Sequence, residues 1–426
     1  MKKILVYITG FCLFCSGVLN AAEWKSEPSL SLKGQYNDNV RMRADDNNPE
    51  ASSGYTLEPR LKFAGEELQR WDMSIDTRAK ITRFQDIEDG DSENLFFDFN
   101  SGRQTELTDW RLGANYSKNT NFDTDFGTSN DAGIGDRTVR TTVSLSPSVR
   151  WNTSETSQVR FNVNSTQVTY GKVTSRNYTD YDNNSLSFVA YWMPAENHQL
   201  GFTSSYSEYD SPDTSFSYDQ AVLQLDYTYN INPTSDLSLS LGGRRLDSLR
   251  TDVTVACEII ASGELFLPIN EECPDSPFVA PVIQDQSNKN NGIVTNLSYT
   301  SKSETASHRF SGGRTISPSS FGGAQEVRSA TYQFNIKNTE RFTTNLLLNG
   351  SESSTVNGTA SSFLNDRTQY RIEPSVTYRL SKNWNLQFLY RHIAQDYTNL
   401  DIGGDITSNA VYVNLFLHWP KFVTTY

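Results

Sequence analysis

Residues 221–242 read AVLQLDYTYNINPTSDLSLSLG and decide the fold, because apolar and polar side chains alternate along both halves of the stretch. Successive side chains of a β-strand point to opposite faces, so each half is predicted to be a strand with one apolar face. The polar residues 232–236 between the halves form the turn of a hairpin. The apolar face of this hairpin covers either a protein core or lipid.

The composition of the chain favours lipid. Hydrophobic residues make up 36% of the 426 residues and the mean hydropathy is −0.56, yet aromatic residues reach 12%. After the N-terminus, no stretch is continuously apolar for the length of a membrane-spanning helix. Few aliphatic and many aromatic side chains are typical of alternating strands that have one apolar face and one face in contact with water.

The same alternation recurs along the chain in segments of about 10 to 14 residues, close to the length of a tilted membrane-spanning strand. Short turns and longer polar loops alternate between these segments, as they do between the two rims of an outer-membrane barrel. We therefore predict an all-β fold, a transmembrane, antiparallel, up-and-down β-barrel of about 18 strands with short periplasmic turns and long extracellular loops. Both termini are expected on the short-turn side. Pro147 and Pro374 cannot donate to a ladder, so each is predicted at a bulge or near the rim.

Six tryptophans fall beside a short turn or the C-terminus. Amphipathic indole rings prefer the boundary between membrane and water, whereas the anchors of a soluble core would be scattered along the strands. These side chains are therefore predicted to form a periplasmic aromatic girdle, whose members are Trp71, Trp110, Trp151, Trp192, Trp384 and Trp419.

Residues 1–22 are predicted to be a secretory signal peptide, with Lys2 and Lys3 before an apolar run and small residues at its end. Residues 23–426 form the barrel domain. The exported chain then keeps Cys257 and Cys273, which are predicted to form a disulfide in an oxidising compartment, the alternative being two free thiols. The long loop 247–288 that contains both cysteines is the candidate constriction or plug of the barrel.

The polar face of the predicted strands is rich in arginine although the chain carries a formal net charge of −13. In one interpretation these arginines only pair with carboxylates on facing strands and fill space. In the other they form a ladder that contacts an acidic solute or polysaccharide through bidentate hydrogen bonds. The candidates are Arg78, Arg111, Arg140, Arg150, Arg160, Arg371, Arg379 and Arg391.

The remaining chemistry of the sequence is sparse. No nucleophile elbow, phosphate-binding loop or metal-spaced histidine cluster occurs among 4 histidines, so we expect neither an enzyme nor a cofactor or metal centre. The run Asp89-Gly90-Asp91 resembles a fragment of a calcium loop but lacks its full spacing. The acidity of the chain argues against nucleic acid as a partner and leaves outer-membrane lipid and lipopolysaccharide.

Three segments carry a resemblance to a known family. They are residues 24–39 (WKSEPSLSLKGQYNDN), 55–71 (YTLEPRLKFAGEELQRW) and 373–391 (EPSVTYRLSKNWNLQFLYR). These segments resemble the β-barrel porins that occur beside exopolysaccharide gene clusters. The resemblance implies a barrel in the outer membrane of a Gram-negative bacterium, with a polysaccharide substrate and periplasmic export partners, and it supplies no catalytic residues.

Two functions remain open at this point. The first is a channel that exports exopolysaccharide or passes hydrophilic or anionic solutes through an arginine-rich lumen. The second is a non-conducting barrel that has a structural role or binds a surface polymer through its loops.

Overall fold

The computed structural model describes residues 23–43, 48–67, 71–87, 90–120, 138–171, 178–212, 215–258, 265–266, 279–319, 323–356, 366–397 and 405–425. The first ten strands are β1 (Glu23–Asn37), β2 (Ser52–Glu67), β3 (Trp71–Phe84), β4 (Ser92–Gln104), β5 (Thr108–Thr120), β6 (Val139–Asn152), β7 (Ser157–Tyr170), β8 (Tyr181–Ala195), β9 (His198–Ser211) and β10 (Phe216–Asn232). The others are β11 (Ser235–Glu258), β12 (Leu265–Phe266), β13 (Val279–Lys302), β14 (Ala306–Ser319), β15 (Gly323–Lys337), β16 (Phe342–Thr355), β17 (Arg367–Arg379), β18 (Trp384–Tyr397), β19 (Ile406–His418) and β20 (Phe422–Thr425).

Eighteen of these strands form one closed, antiparallel barrel, and the predicted fold is confirmed. Each strand pairs with its neighbours in sequence, and the ring closes where β1 pairs with β19 from Ser29–His418 to Asn37–Ala410. The two short strands lie at the margins, with β12 beside the end of β11 and β20 beside the start of β1. Closure pairs β1 with β19, so the ring has no free edge strand there. A strand that crosses a bilayer needs partners on both sides, because no water is present to satisfy its backbone groups. No helix in the described part of the chain has the length and apolarity to span a membrane.

The hairpin of β10 and β11 shows how the sequence builds the wall. Leu225 lies directly opposite Leu241, and their side chains are 67% and 59% exposed on the outer surface. On either side of Leu225 in sequence, Gln224 and Asp226 point to the inner face, and the Gln224 amide donates a hydrogen bond to the Asp226 carboxylate. Outward apolar side chains recur on the other strands, so the barrel presents an apolar belt of the kind that contacts lipid.

The connections follow the predicted alternation at one rim and depart from it at the other. Turns of two to four residues join the strands at the rim that holds the start of β1. At the opposite rim the predicted loops after β9 and β14 shrink to residues 212–215 and 320–322, because the strands continue further than expected.

The predicted loop 247–288 needs the largest correction. Its first residues continue β11 to Glu258 and its last residues begin β13 at Val279, with backbone pairing from Ser235–Ser301 to Cys257–Val279. A ladder of backbone hydrogen bonds does not depend on which side chains the strand carries, so it continues beyond the point where the apolar alternation of the sequence ends. Most of this segment is therefore a two-stranded extension of the wall.

The strand prolines occupy regular positions, so the predicted bulges are wrong. Pro147 pairs with Leu112 and Pro374 pairs with Leu346, both in register. On the opposite side of each proline the ladder skips two residues and resumes without a shift. A missing N–H therefore interrupts the pairing locally without changing the register.

Candidate functional site

The inner face of the barrel is the candidate site, and one sector of it is charged. On β2 and β3, Arg60 forms an ion pair with Asp76, and the Arg78 guanidinium lies 3.6 Å from Glu58. The same guanidinium lies over the Phe96 ring at 4.2 Å from its centroid. The cations of this sector are thus held against carboxylates and an aromatic ring on neighbouring strands.

A second group of charges spans β3 to β6. Arg111 reaches across β4 to Asp72 with a 2.7 Å contact, and Gly102 on β4 leaves the room for this. A β-carbon at Gly102 would collide with the Arg111 guanidinium. Asp109 accepts hydrogen bonds from Arg111 at 2.8 Å and from Arg150 at 2.7 Å, so one carboxylate holds two arginines in place.

Glu373 organises a third group on β17 and β18. Its carboxylate accepts from Arg371 at 2.6 Å and also from Arg391, and the side chains of Arg371 and Glu373 are both buried. Arg391 also lies over the Tyr412 ring, 5.2 Å from its centroid. Burial of a charge is costly unless it is paired, and Glu373 supplies the pairing for both arginines.

The remaining predicted arginines differ in their surroundings. Arg140 donates to the Tyr181 hydroxyl at 3.1 Å. Within the described chain, Arg160 and Arg379 form no ion pair. Arg160 lies opposite Arg150 near the start of β7, and Arg379 ends β17, so both cations lie close to the short-turn rim.

In the described part of the chain, five of the eight predicted arginines pair with carboxylates, as the space-filling interpretation requires. Contact of any of the eight with a solute stays a prediction.

The wall formed by β7 to β10 and by β13 to β16 is largely neutral. Its inner side chains are mostly Ser, Thr, Asn and Gln, as in the contacts of Asn162 with Ser187 at 3.0 Å and of Asn335 with Asn345 at 2.5 Å. A recess of about 660 Å³ lies in this wall, and Gln333, Asn345 and Arg309 are among its lining residues. Amides and hydroxyls in such numbers both donate and accept hydrogen bonds, which suits a hydrated or polyhydroxylated solute.

The half of the lumen away from the short-turn rim contains two apolar clusters that the sequence does not predict. One packs Met42, from the loop after β1, against Ile393 and Ile406. The other buries aromatic side chains of β8, β9 and β10 beneath β15, and Glu326 lies beside it. The residues that form them occur in unremarkable strand or loop sequence, so no local signal identifies them.

The six predicted girdle tryptophans lie at or near strand ends on the short-turn rim. Trp24, which the prediction omits, lies there too and stacks on Phe63 with centroids 4.9 Å apart. Its ring also meets Trp71 edge-on at 5.9 Å. Their role at the membrane boundary stays a prediction.

Several predicted features fall outside the described residues. These are the signal peptide 1–22, Asp89 of the calcium-like run, and Cys273, so the Cys257–Cys273 disulfide stays a prediction. Among the side chains that are described, no group of three or more His, Cys, Asp or Glu is placed to hold a metal ion.

No protein-family model and no curated protein matches the chain. Among solved structures, it is similar to the closed form of the ferric-catecholate import receptor Fiu from E. coli K12, with 8% identity over 92% of this chain and 82% of that one and a TM-score of 0.50. It is also similar to a BenF-like porin from Pseudomonas fluorescens Pf-5, with 9% identity over 92% and 99% of the chains and a TM-score of 0.45. The outer membrane protein opdK from Pseudomonas aeruginosa has 8% identity over 92% and 99% and a TM-score of 0.44. At such identity the likeness to the receptor shows the fold alone.

Proposed function

We propose that this protein is a channel in the outer membrane of a Gram-negative bacterium that passes hydrophilic solutes. The observation that supports this proposal is the pairing of an apolar outer belt with a polar inner face in one closed ring of eighteen strands. A barrel of this size is wide enough for an aqueous path. Its fixed polar groups replace part of the hydration shell of a solute in transit.

Export of exopolysaccharide is the finer form of the proposal. Two features support it, the resemblance of the strand segments and the neutral wall of Ser, Thr, Asn and Gln, whose groups match sugar hydroxyls. The neutral wall faces a sector in which most charges are internally paired, so the lumen offers hydrogen bonds more than net charge. Uronic acids or other acidic sugars would meet the cations that have no carboxylate partner.

The alternative, a non-conducting scaffold, is favoured by one observation. Residues of the loop after β1 and of β15 lie inside the extracellular half of the lumen, where they narrow the path. Conductance separates the two functions directly. We expect the refolded protein to give steady single-channel currents in planar bilayers, and a folded barrel without current would support the scaffold.

Ion selectivity tests the role of the arginines. Replacing Arg160 and Arg379 with Gln removes two lumen cations that form no ion pair in the described part of the chain, so we expect the preference for anions to fall. The matched control is Arg83→Gln, which removes one cation that faces outward and pairs with Glu93. Reversal potentials in a salt gradient measure the effect, and a double variant that keeps the parental selectivity would contradict this role.

A further inference from the structure

The wall opens between β13 and β14, while β15 stays paired with β16 as far as Gln325 opposite Thr355. β14 pairs with β13 only as far as Arg314 opposite Thr295, while β13 continues beside β11 alone. β14 and β15 stay paired with each other to Ser319 opposite Gly323. We call residues 314–319 and 323–328 of this hairpin the inner hairpin. At the point of departure, a β-carbon on Gly313 would collide with the Thr295 carbonyl, so the two backbones approach closely there.

The inner hairpin covers aromatic side chains that point into the lumen. Ile316 and Ala324 pack on a cluster formed by Val168, Tyr181, Tyr209, Phe216, Tyr218 and Leu246. On β10, Tyr218 alternates with the outward leucines, and the other members likewise lie on the inner face of their strands. Tyr209 and Leu246 are 0% and 1% exposed, although side chains that face an open aqueous lumen would be wet. Their burial shows that the inner hairpin lies against the wall from inside.

Contacts between strands that are not neighbours in the sheet support this placement. β11 and β13 separate β10 from β14, yet Tyr209 on β9 donates to the Ser319 carbonyl at 3.5 Å. Val356, which follows β16, donates to the Ala324 carbonyl at 2.9 Å and continues the ladder between β15 and β16 along the inner hairpin. A hairpin that simply prolonged the wall would make none of the contacts with β9.

Glu326 fastens the inner hairpin to the wall. Its carboxylate accepts from Arg244 on β11 at 2.9 Å and from Arg314 at 2.7 Å. The side chains of Arg244 and Glu326 are only 2% and 9% exposed. Gly292 makes room for Arg244, because a β-carbon there would lie 2.8 Å from the guanidinium carbon. A buried pair of this kind is costly to break from one side.

We infer that the inner hairpin is the constriction of the channel and sets the size of the solutes that pass, with Glu326 as the residue that holds it in place. The inference rests on the proposed function. The inner hairpin occupies the side of the lumen next to β9, β10 and β11, so a solute passes between it and the charged sector of β2 to β6, β17 and β18. The predicted loop 247–288 is not needed for this role, since the part of it described as strand pairs along the wall.

The position of the inner hairpin is tested without any current. In a Cys257→Ser, Cys273→Ser background, Leu246→Cys and Ala324→Cys place two thiols in the same cluster. We expect the two thiols to form a disulfide when the unfolded protein is refolded under mild oxidation, as seen after proteolysis between the two positions. The control pair Leu246→Cys and Ser381→Cys, with the second thiol in the turn after β17, is expected to stay unjoined. A folded barrel in which the first pair is not joined would overturn the inference.

The effect on transport is tested by shortening the hairpin. Replacing residues 317–324 with a two-residue Asn-Gly turn removes the tip, so conductance should rise by about twofold or more and larger oligosaccharides should enter liposomes. Glu326→Gln keeps the hairpin but weakens its attachment, so we expect currents that switch between two levels. The matched control is Glu352→Gln, which removes a neighbouring carboxylate. Glu352 forms its ion pair with Arg328 and not with Arg244 or Arg314, so the currents of this variant should stay at a single level.

The outcomes distinguish this inference from the proposed function. Unchanged conductance and an unchanged exclusion limit in a folded, shortened barrel would overturn the constriction and leave the channel standing. If the shortened barrel conducts and the intact protein does not, the result would support the constriction and show that the intact protein is closed. If neither protein conducts although the thiols are joined, both the channel and its size limit are overturned.

Discussion

Single glycines in this barrel have opposite roles even when they are adjacent. Gly242 ends the stretch that predicts the fold and lies on the inner face opposite Gln224, where a β-carbon would press on the Leu223 carbonyl and on the Gln224 backbone. A β-carbon on Gly243, the next residue, would meet nothing within 4 Å. The close approach of two backbones therefore requires glycine at one position and tolerates any small residue at the other.

This difference gives a prediction about stability. Gly242→Ala forces backbone atoms apart, so we expect it to lower the free energy of unfolding by about 1–3 kcal/mol. Gly243→Ala is the matched control and should be neutral or stabilise by up to about 1 kcal/mol, since alanine restricts the unfolded chain. Urea titrations of both variants in lipid vesicles measure the effect. Equal stabilities would show that the β11 backbone has room at Gly242.

The individual strand is organised by its two faces. Along β10, alternate side chains meet lipid and the lumen, so the same substitution has different consequences at consecutive positions. The inner face tolerates charge because it already holds Asp226, which accepts from Thr203 at 2.6 Å. Around Leu225 the outer face carries apolar and aromatic side chains, and the outward carboxylate of Asp219 lies six residues away along the strand.

Arginine at two consecutive positions of β10 tests this assignment. Leu225→Arg places a cation on the lipid face, so we expect the free energy of unfolding in vesicles to fall by about 2–4 kcal/mol. Gln224→Arg, the control, places the same side chain in the lumen beside Asp226 and should cost less than about 1 kcal/mol. A larger loss for Gln224→Arg than for Leu225→Arg would mean that the faces are reversed.

The whole molecule depends on one seam that joins the ends of the chain. Nine residue pairs between β1 and β19 close the ring, and β20 adds four pairs at the short-turn rim. Lys421, just before β20, contacts Glu27 at 2.5 Å and ties this margin to β1. Closure needs β19 between its two neighbours, whereas β20 has β1 as its only partner among the described strands.

Proline scanning of the seam separates these contributions. Val413→Pro interrupts the nine pairs between β1 and β19 that close the ring, so we expect the share of the fast-migrating folded form in unheated gels to fall. Val423→Pro changes the marginal strand β20 in the same way and should leave the folded form in place. Retention of the folded form by both variants would show that closure does not depend on the ladder at Val413.

Much of the architecture is local and was therefore predictable from the sequence. The period of two at residues 221–242 depends only on which side chains alternate, and the short turns depend on a few polar residues. Both patterns can be recognised without knowing which distant residues will become partners. The same holds for the arginines, since a polar residue between apolar neighbours on a strand is bound to face the lumen.

Only the tertiary structure decided which elements enter the lumen. Glu326 and Arg244 are 82 positions apart and become partners because β14 separates from β13 and the inner hairpin folds onto the inner face of the wall. The sequence pointed instead to residues 247–288, because loop length is visible along the chain whereas the direction of a hairpin is not. The alternation of side chains shows which face of a strand is apolar. The apolar cluster inside the barrel, however, forms from side chains of seven or more strands and loops, and only closure of the barrel brings these together.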